Sequence, residues 1–387
     1  MNRNQLEYLT KTIEKEIEMG RLKDMSVRVL KQNEMIYDQC FGDYKEDTIF
    51  RIYSMTKPVT ATAIMILHER GLLDLRDPIS KYLPAFAKQR VLTDTSGLVP
   101  VKTPMTIQHC LNMTSGLVYP SLEHGAGRYL NDISNEIEER EAKGDPVNTI
   151  ELCNMIALAP LMFQPGTRWF YSVSADVLSG VVEVVAGMNY GDFLKKEIFE
   201  PLGMNETSYY AGLGERINRL ATVYQRRADG ILEKASEKRL RGLGAFTCAY
   251  ATTYEGGGAG LCSTMNDYTK FAQMLLHNGT LNGVRILGRK TVEFMKTNQL
   301  TDAVKKDLWF ESTDGYTYSN LLRIFENKGA AGFSGSIGEF GWDGMMGTFF
   351  CVDQTEQLVA LYFQQIVEGA DLGLRRRMNQ IIYGAVE

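Results

Sequence analysis

Apolar residues recur at helical spacing from the start of the chain. Leu6, Leu9, Ile13 and Ile17 fall three or four apart within residues 3–20, and Gly20 closes the run, so an amphipathic helix is predicted there. The period then changes. In residues 25–41, Val27, Val29 and Ile36 supply an apolar face and Lys31-Gln32-Asn33-Glu34 a polar break, the pattern of a β-hairpin. Residues 54–70 are strongly apolar and end at Gly71, a helix stop. Pro58 lies in the first turn of that helix, where the N–H it lacks would have no intrahelical acceptor. Ser54 is therefore expected at a helix N-terminus.

Between 71 and 170 the pattern breaks into turns and short helices punctuated by Pro78, Pro84, Pro104, Pro120, Pro146, Pro160 and Pro165. Residues 174–187 read as a further helix and 217–235 as strands or an irregular hairpin. A glycine turn, Gly256-Gly257-Gly258, precedes an amphipathic helix at 264–277. Residues 346–352 and 357–365 read as strands and 371–385 as a closing helix. Strands thus gather at both ends of the chain with helices between. This predicts an α/β (α+β) domain assembled from residues 1–75 and 285–387, with a mainly helical insertion at 76–284.

Composition narrows the function classes. With 42 lysines and arginines against 47 acidic residues the formal charge is −5, and the densest basic cluster, Arg375-Arg376-Arg377, is short, so nucleic acid is not an expected partner. No apolar run is long enough to span a membrane, and the N-terminus lacks the apolar core of a signal peptide, which leaves the cytoplasm as the expected location. Cys40, Cys110, Cys153, Cys248, Cys262 and Cys351 form no CxxC and no zinc-type spacing, so they are read as reduced thiols. No HExxH accompanies His68, His109, His124 and His277, and neither a metal nor another cofactor is expected.

Three short segments carry chemistry. Ser54-Met55-Thr56-Lys57 puts a hydroxyl and an amine on one face of a helix, where Lys57 Nζ can reach Ser54 Oγ. A serine needs a base to become a nucleophile, and a lysine serves only when burial or a nearby cation lowers its pKa. A helix N-terminus disfavours the ammonium and favours an oxyanion. Tyr171-Ser172-Val173 offers a phenol able to carry the proton to a leaving group. Gly341-Trp342-Asp343-Gly344 precedes a strand, and a small Gly344 lets substrate lie against the strand edge, where the next backbone N–H, that of Met345, can join that of Ser54 in an oxyanion hole.

In this order and spacing the three segments resemble the motifs of the serine β-lactamase and penicillin-binding protein superfamily. The likeness spans roughly residues 20–385: Gly71 to Pro84 resembles the segment after the nucleophile helix, TIQHCLNMTSGL (106–117) a "TI..LL.HTSGL" block, and 257–271 a "GGG..ST..DY..F" block. Tyr-Ser-Val and Trp-Asp-Gly resemble the esterase-like branch related to class C β-lactamases, the family VIII carboxylesterase type, and not the Tyr-x-Asn and Lys-Thr-Gly of β-lactamases. The resemblance implies a β-lactamase/transpeptidase-like fold and a serine hydrolase acting through an acyl-enzyme on Ser54, with Lys57 and Tyr171 in proton transfer. Without the third-motif lysine, Trp342 gives an apolar wall and Asp343 a negative charge if it faces the site. An uncharged ester or amide then suits the site better than a carboxylate, unless one of Arg375 to Arg377 reaches in. A β-lactamase, D-Ala carboxypeptidase or D-amino-acid peptidase is the alternative enzyme, and a non-catalytic penicillin-binding-like sensor the alternative of another class. Tyr119, Tyr250 and Tyr254 sit in loops able to line a pocket. Trp169, Phe170, His109 and His277 read as structural.

Overall fold

The computed structural model describes residues 1–93, 97–212, 215–236, 254–367, 369 and 371–387. Cys248 and Tyr250 lie outside them. Its centre is a seven-stranded sheet. Its strands, in chain order, are β1 (Met25–Lys31), β2 (Glu34–Phe41), β3 (Tyr316–Ser319), β4 (Leu322–Phe325), β5 (Phe340–Asp343), β6 (Phe349–Asp353) and β7 (Leu358–Phe363). Their spatial order is β3-β4-β5-β6-β7-β1-β2, and every neighbouring pair is antiparallel. The chain's two ends meet where β1 pairs with β7, Val29 opposite Ala360.

Local sequence explains most of these elements. Gln32 and Asn33 turn the first hairpin with φ of 53° and 66°, the left-handed pair that a two-residue loop requires. Helix α1 (Arg3–Glu18) is capped by Asn2 and buries Leu6, Leu9 and Ile13. With the C-terminal helix, α7 (Leu372–Gly384), it covers one face of the sheet, against Val27, Val29, Phe349 and Ala360. Helix α2 (Thr56–Glu69) lies in the larger core on the other side and is buried from Thr56 to Leu67, its polar Thr56, Lys57, Thr60 and Thr62 included. Helix α6 (Met265–Leu276) falls within the 76–284 stretch of the sequence reading but packs on β6 and β7.

Two expectations needed correction. The stretch 71–170 holds not only short helices: α3 (Gly125–Ala142) has 18 residues, its apolar side reduced to Leu130, Ile133 and Ile137 on a helix otherwise polar, followed by α4 (Thr149–Ile156). Strands β3 and β4 were not foreseen, because their hairpin turns through Asn320 and Leu321 at φ of 48° and 61°, and leucine is no turn signal. The segment 217–235 forms a small hairpin of Tyr224–Arg226 with Leu232–Lys234. Of the described cysteines, Cys110, Cys153, Cys262 and Cys351 are buried thiols and Cys40 is exposed. Among the described residues no helix is long and apolar enough to cross a membrane.

An ion-pair cluster ties α1 to α7. The Glu16 side chain is 1% exposed and accepts hydrogen bonds from Arg21 and Arg377. The Arg21 hydrogen bond, with Arg377 adding to it, holds the Glu16 carboxyl down at about 2. A depressed carboxylate pKa contributes stability above the unfolded-state value, and that contribution is lost as pH falls through the folded-state value. Both arginines are half exposed, so solvent screening leaves about 1–2 kcal/mol. Glu16→Gln is therefore expected to lower Tm by a few degrees at pH 7, with the gap to wild type closing between pH 4.5 and 2. A gap that stays constant over that range in thermal scans would contradict the assignment.

Candidate active site

Ser54 sits in a single 3₁₀ turn, Tyr53–Met55, at the entrance to α2. The turn hangs from Ile49–Arg51, a short strand paired with Cys262–Thr264, and from the Ile52 N–H, which donates to Leu261 O at 3.0 Å. Tyr53 takes φ of 43°, a left-handed conformation that a bulky side chain enters only under strain, of order 1–3 kcal/mol. The nucleophile candidate therefore follows a backbone kink held from both sides.

Lys57, the second residue of α2, is completely buried. Its Nζ lies 3.1 Å from Ser54 Oγ, 2.9 Å from the Tyr119 hydroxyl and 2.6 Å from Gly258 O. A neutral amine has two N–H donors and one lone pair. Gly258 O and Tyr119 Oη can take the two hydrogens, which leaves the lone pair for the Ser54 proton. Burial pushes the Lys57 pKa down, while the charges of Asp176 and Asp343 hold it partly up. The amine also lies over the Tyr171 ring, 4.7 Å from its centre.

Tyr171 comes from the segment just before helix α5 (Ser174–Ala186). Its hydroxyl accepts from Trp342 Nε1 at 3.1 Å. Burial drives its pKa well up, against the opposing pull of Ser54 and Trp342, so it remains a protonated phenol near neutral pH. Phe310 stands edge-on to Tyr171, ring centres 5.0 Å apart. Ser54, Lys57, Tyr171 and Trp342 are thus brought together from three separate parts of the chain.

The third segment adds to the expectation in one respect and departs from it in another. Trp342 is 2% exposed, and beyond the apolar wall expected of it, its Nε1 donates to the Tyr171 hydroxyl. Asp343 does not face the site. Consecutive strand residues point to opposite faces, and with Trp342 toward Tyr171 the carboxylate turns to the α7 side. There Asp343 Oδ2 accepts from Arg323 Nη1 at 3.0 Å and from Arg375 Nη1, while both guanidiniums stack on Phe349 at 4.8 Å. Arg377 binds Glu16, and Arg376 lines a small cavity with Arg323 and Arg375 on that same side. So Arg375 and Arg377 are engaged behind the sheet.

Gly344 and Met345 form the edge opposite Ser54. Gly344 N–H donates to Thr348 O and Gly347 N–H to Gly344 O, closing a β-turn whose first central residue is Met345. The Met345 N–H donates to no acceptor among the described residues, as the geometry of such a turn allows. Thr348 Oγ1 reaches Ile52 O at 3.3 Å and stitches this turn to the Ser54 segment.

Two contributors were missed in the sequence. Gly258 supplies the carbonyl on Lys57, although its glycine run was read only as a turn. Asp176 donates nothing but accepts the Gly258 N–H at 3.0 Å from inside α5. A lone charge in the apolar run VSADVLSGVV was the signal available. Of the loop tyrosines expected to line a pocket, Tyr119 accepts from Lys57 Nζ at 2.9 Å. Tyr254 is buried in the core, and Trp169 is fully buried, as its packing role requires. His109 closes a capping box with Thr106. Among the described residues no group of three or more histidine, cysteine or acidic side chains could hold a metal ion.

A family model described as "Beta-lactamase" matches residues 9–384. The chain is 29% identical over 384 residues to the esterase EstB of Burkholderia gladioli, with 92% of this chain and 89% of that protein covered. It is 31% identical over 242 residues to the lovastatin esterase of Penicillium rubens, covering 60% of this chain and 56% of the other. Among solved structures, unliganded simvastatin synthase (LovD) from Aspergillus terreus superposes with a TM-score of 0.82 at 21% identity, over 98% of both chains.

Proposed function

The chain belongs to the beta-lactamase family and carries its fold, and from that premise we propose that it is a serine esterase or acyltransferase working on uncharged acyl esters through an acyl-enzyme on Ser54. The observation that carries the reading is the saturated shell around Lys57: two acceptors for its hydrogens and a hydroxyl for its lone pair, in a fully buried position. The names of the relatives EstB and lovastatin esterase support ester chemistry over cell-wall chemistry.

In the proposed reaction Ser54 Oγ attacks the acyl carbonyl as its proton passes to Lys57 Nζ. Charge developing on the carbonyl oxygen is met by the N–H groups of Ser54 and Met345. Collapse of the tetrahedral intermediate breaks the bond to the leaving alcohol, which takes a proton from Tyr171; the phenol is replenished from Lys57. Water or a second alcohol then repeats the sequence on the acyl-enzyme and frees Ser54. Preference for a neutral substrate rests on the positions of the charges: Asp343 answers Arg323 and Arg375 behind the sheet, so those cations are not offered to a substrate carboxylate.

Intact-mass measurement tests this. A fluorophosphonate is expected to add once, at Ser54, and p-nitrophenyl esters of short acyl chains are expected to turn over faster than nitrocefin or a D-Ala-D-Ala peptide. An unlabelled Ser54 would sink the hydrolase reading, and faster turnover of the anionic substrates would sink the choice of substrate class.

A further inference from the structure

We infer that Asp176 is a positioning residue of this site: it aims the Gly258 carbonyl at Lys57 and provides the counter-charge for the ammonium that forms when Lys57 takes the Ser54 proton. The inference rests on Ser54 and Lys57 being nucleophile and base.

Asp176 is fully buried in the first turn of α5, between Ala175 and Val177. A carboxylate in such surroundings is costly unless something compensates it. Among the described residues it makes no ion pair within 4.0 Å. Oδ1 accepts the Gly258 N–H, and Oδ2 has no hydrogen-bond partner. Desolvation by its surroundings raises its pKa, and the Lys57 charge is the first influence pulling it back. The carboxylate is therefore kept for a purpose other than capping or ion pairing.

The geometry around Gly258 shows what that purpose is. One side of the residue, its N–H, is held by Asp176; the other, its carbonyl, receives Lys57 Nζ at 2.6 Å. A Cβ on Gly258 would fall 2.5 Å from Asp176 Oδ2, and one on Gly257 would fall 2.2 Å from Ala175 O, so the glycine backbone lies directly on the first turn of α5. Thr60 Oγ1 grips Gly257 O at 2.6 Å from α2. The strand of backbone that receives the lysine is thus clamped between the two helices that carry Lys57 and Asp176.

The remaining groups around the pair leave the charge of Lys57 to Asp176. Tyr190, Tyr209, Tyr119, Tyr171 and Cys153 all feel the Asp176 charge, and burial raises the pKa of each, so all stay neutral. Asp343 also acts on Lys57, but two guanidiniums answer it. During acylation the Ser54 O–H bond breaks as the Oγ–C bond forms, Lys57 goes from amine to ammonium, and the negative charge appears on the substrate oxygen. With Asp176 ionised, the Lys57 ammonium that forms in this step has a negative neighbour, and that ammonium in turn favours the carboxylate over its protonated form. This is the logic of a base oriented and stabilised by a third group, here acting through one peptide carbonyl and through space.

Asp176→Asn keeps the size and the acceptor for the Gly258 N–H while removing the charge. The reaction to follow is phosphonylation of Ser54 by a fluorophosphonate as a function of pH, which needs no knowledge of the natural substrate. Two changes of opposite benefit are expected. The plateau rate falls roughly 10- to 100-fold, because the ammonium loses its counter-charge. The acid limb moves to lower pH, because the negative neighbour that helped Lys57 keep its proton is gone. A residue that merely packs would lower the rate or Tm and leave the limb in place. Asp176→Ser, smaller and also uncharged, gives the same reading if the Asn variant does not fold. An unmoved limb in the folded variants overturns the role of Asp176 while wild-type labelling stands; a wild-type protein that never labels defeats the hydrolase reading instead.

Discussion

Lys57→Arg is expected to lower kcat roughly 1,000- to 10,000-fold while leaving the protein folded. Arginine keeps the positive charge and most of the length, but its guanidinium does not release its proton in a protein. If Lys57 only had to be a cation beside an oxyanion, the variant would keep much of its rate. If Lys57 must accept the Ser54 proton, no amount of charge replaces it. The pH profile separates the two further. Burial brings the Lys57 pKa down to about 7, and the neutral amine is the active form, so wild-type kcat/KM rises with pH through that region. Tyr171, whose pKa burial raises, does not titrate there. The limb near pH 7 should be absent from the residual activity of Lys57→Arg. A variant that retains more than a tenth of wild-type kcat with the same limb would exclude Lys57 as the base. Fluorophosphonate labelling of the variant should slow in parallel, since the same proton has to leave Ser54.

How much of this site was legible in the sequence follows from the range of each interaction. Ser54 and Lys57 are three residues apart, and one helical turn is enough to bring them together, so their pairing needs only local geometry. Tyr171 and the 341–344 segment are distant, and only the spacing shared with a known superfamily tied them to Ser54. The direction of Asp343 was not legible. A strand residue's face depends on which neighbour is buried against what, and Arg323 and Arg375 arrive from a hairpin and a helix that the sequence does not place. The same holds for Asp176, which reaches the lysine through Gly258, 82 positions further along. The large elements followed from periodicity, as with α1, α2 and β1. The polar helix α3 and the hairpin turning on Leu321 did not, because their stability comes from tertiary contacts that override a weak local pattern.

Burying Arg323 and Arg375 against Asp343 has a consequence for the site as well as for the fold. Arg323 is 1% exposed, and removing Asp343 would leave two desolvated guanidiniums behind β5. The third-motif aspartate therefore acts as the anchor of the strand that carries Trp342 on its other face. Fixing Trp342 fixes the donor to Tyr171, so the charge cluster behind the sheet and the phenol in front of it are two sides of one strand.

Gly344→Ala should be the most damaging change on the oxyanion side, with kcat down roughly 100- to 1,000-fold. A Cβ on Gly344 would lie 2.3 Å from Thr348 Oγ1 and 2.5 Å from Ile52 O. The threonine can rotate, but the Ile52 carbonyl cannot. It belongs to the backbone two residues before Ser54 and accepts the Met55 N–H at 3.0 Å in the turn that displays the nucleophile. The extra methyl must therefore push the 344–347 turn and the Ser54 turn apart, at a cost to folding of about 1–3 kcal/mol. A stabilising N–H works only at hydrogen-bond distance from the developing charge, so widening the gap by a fraction of an ångström removes most of what Met345 contributes. Ground-state binding depends less on that distance, so KM should change far less than kcat. Thr348→Ala in the same background removes only the hydroxyl contact that is already soft and should restore little. If Gly344→Ala folds and turns over esters within a factor of about two of wild type, the oxyanion is held elsewhere, and Met345 has no part in the chemistry.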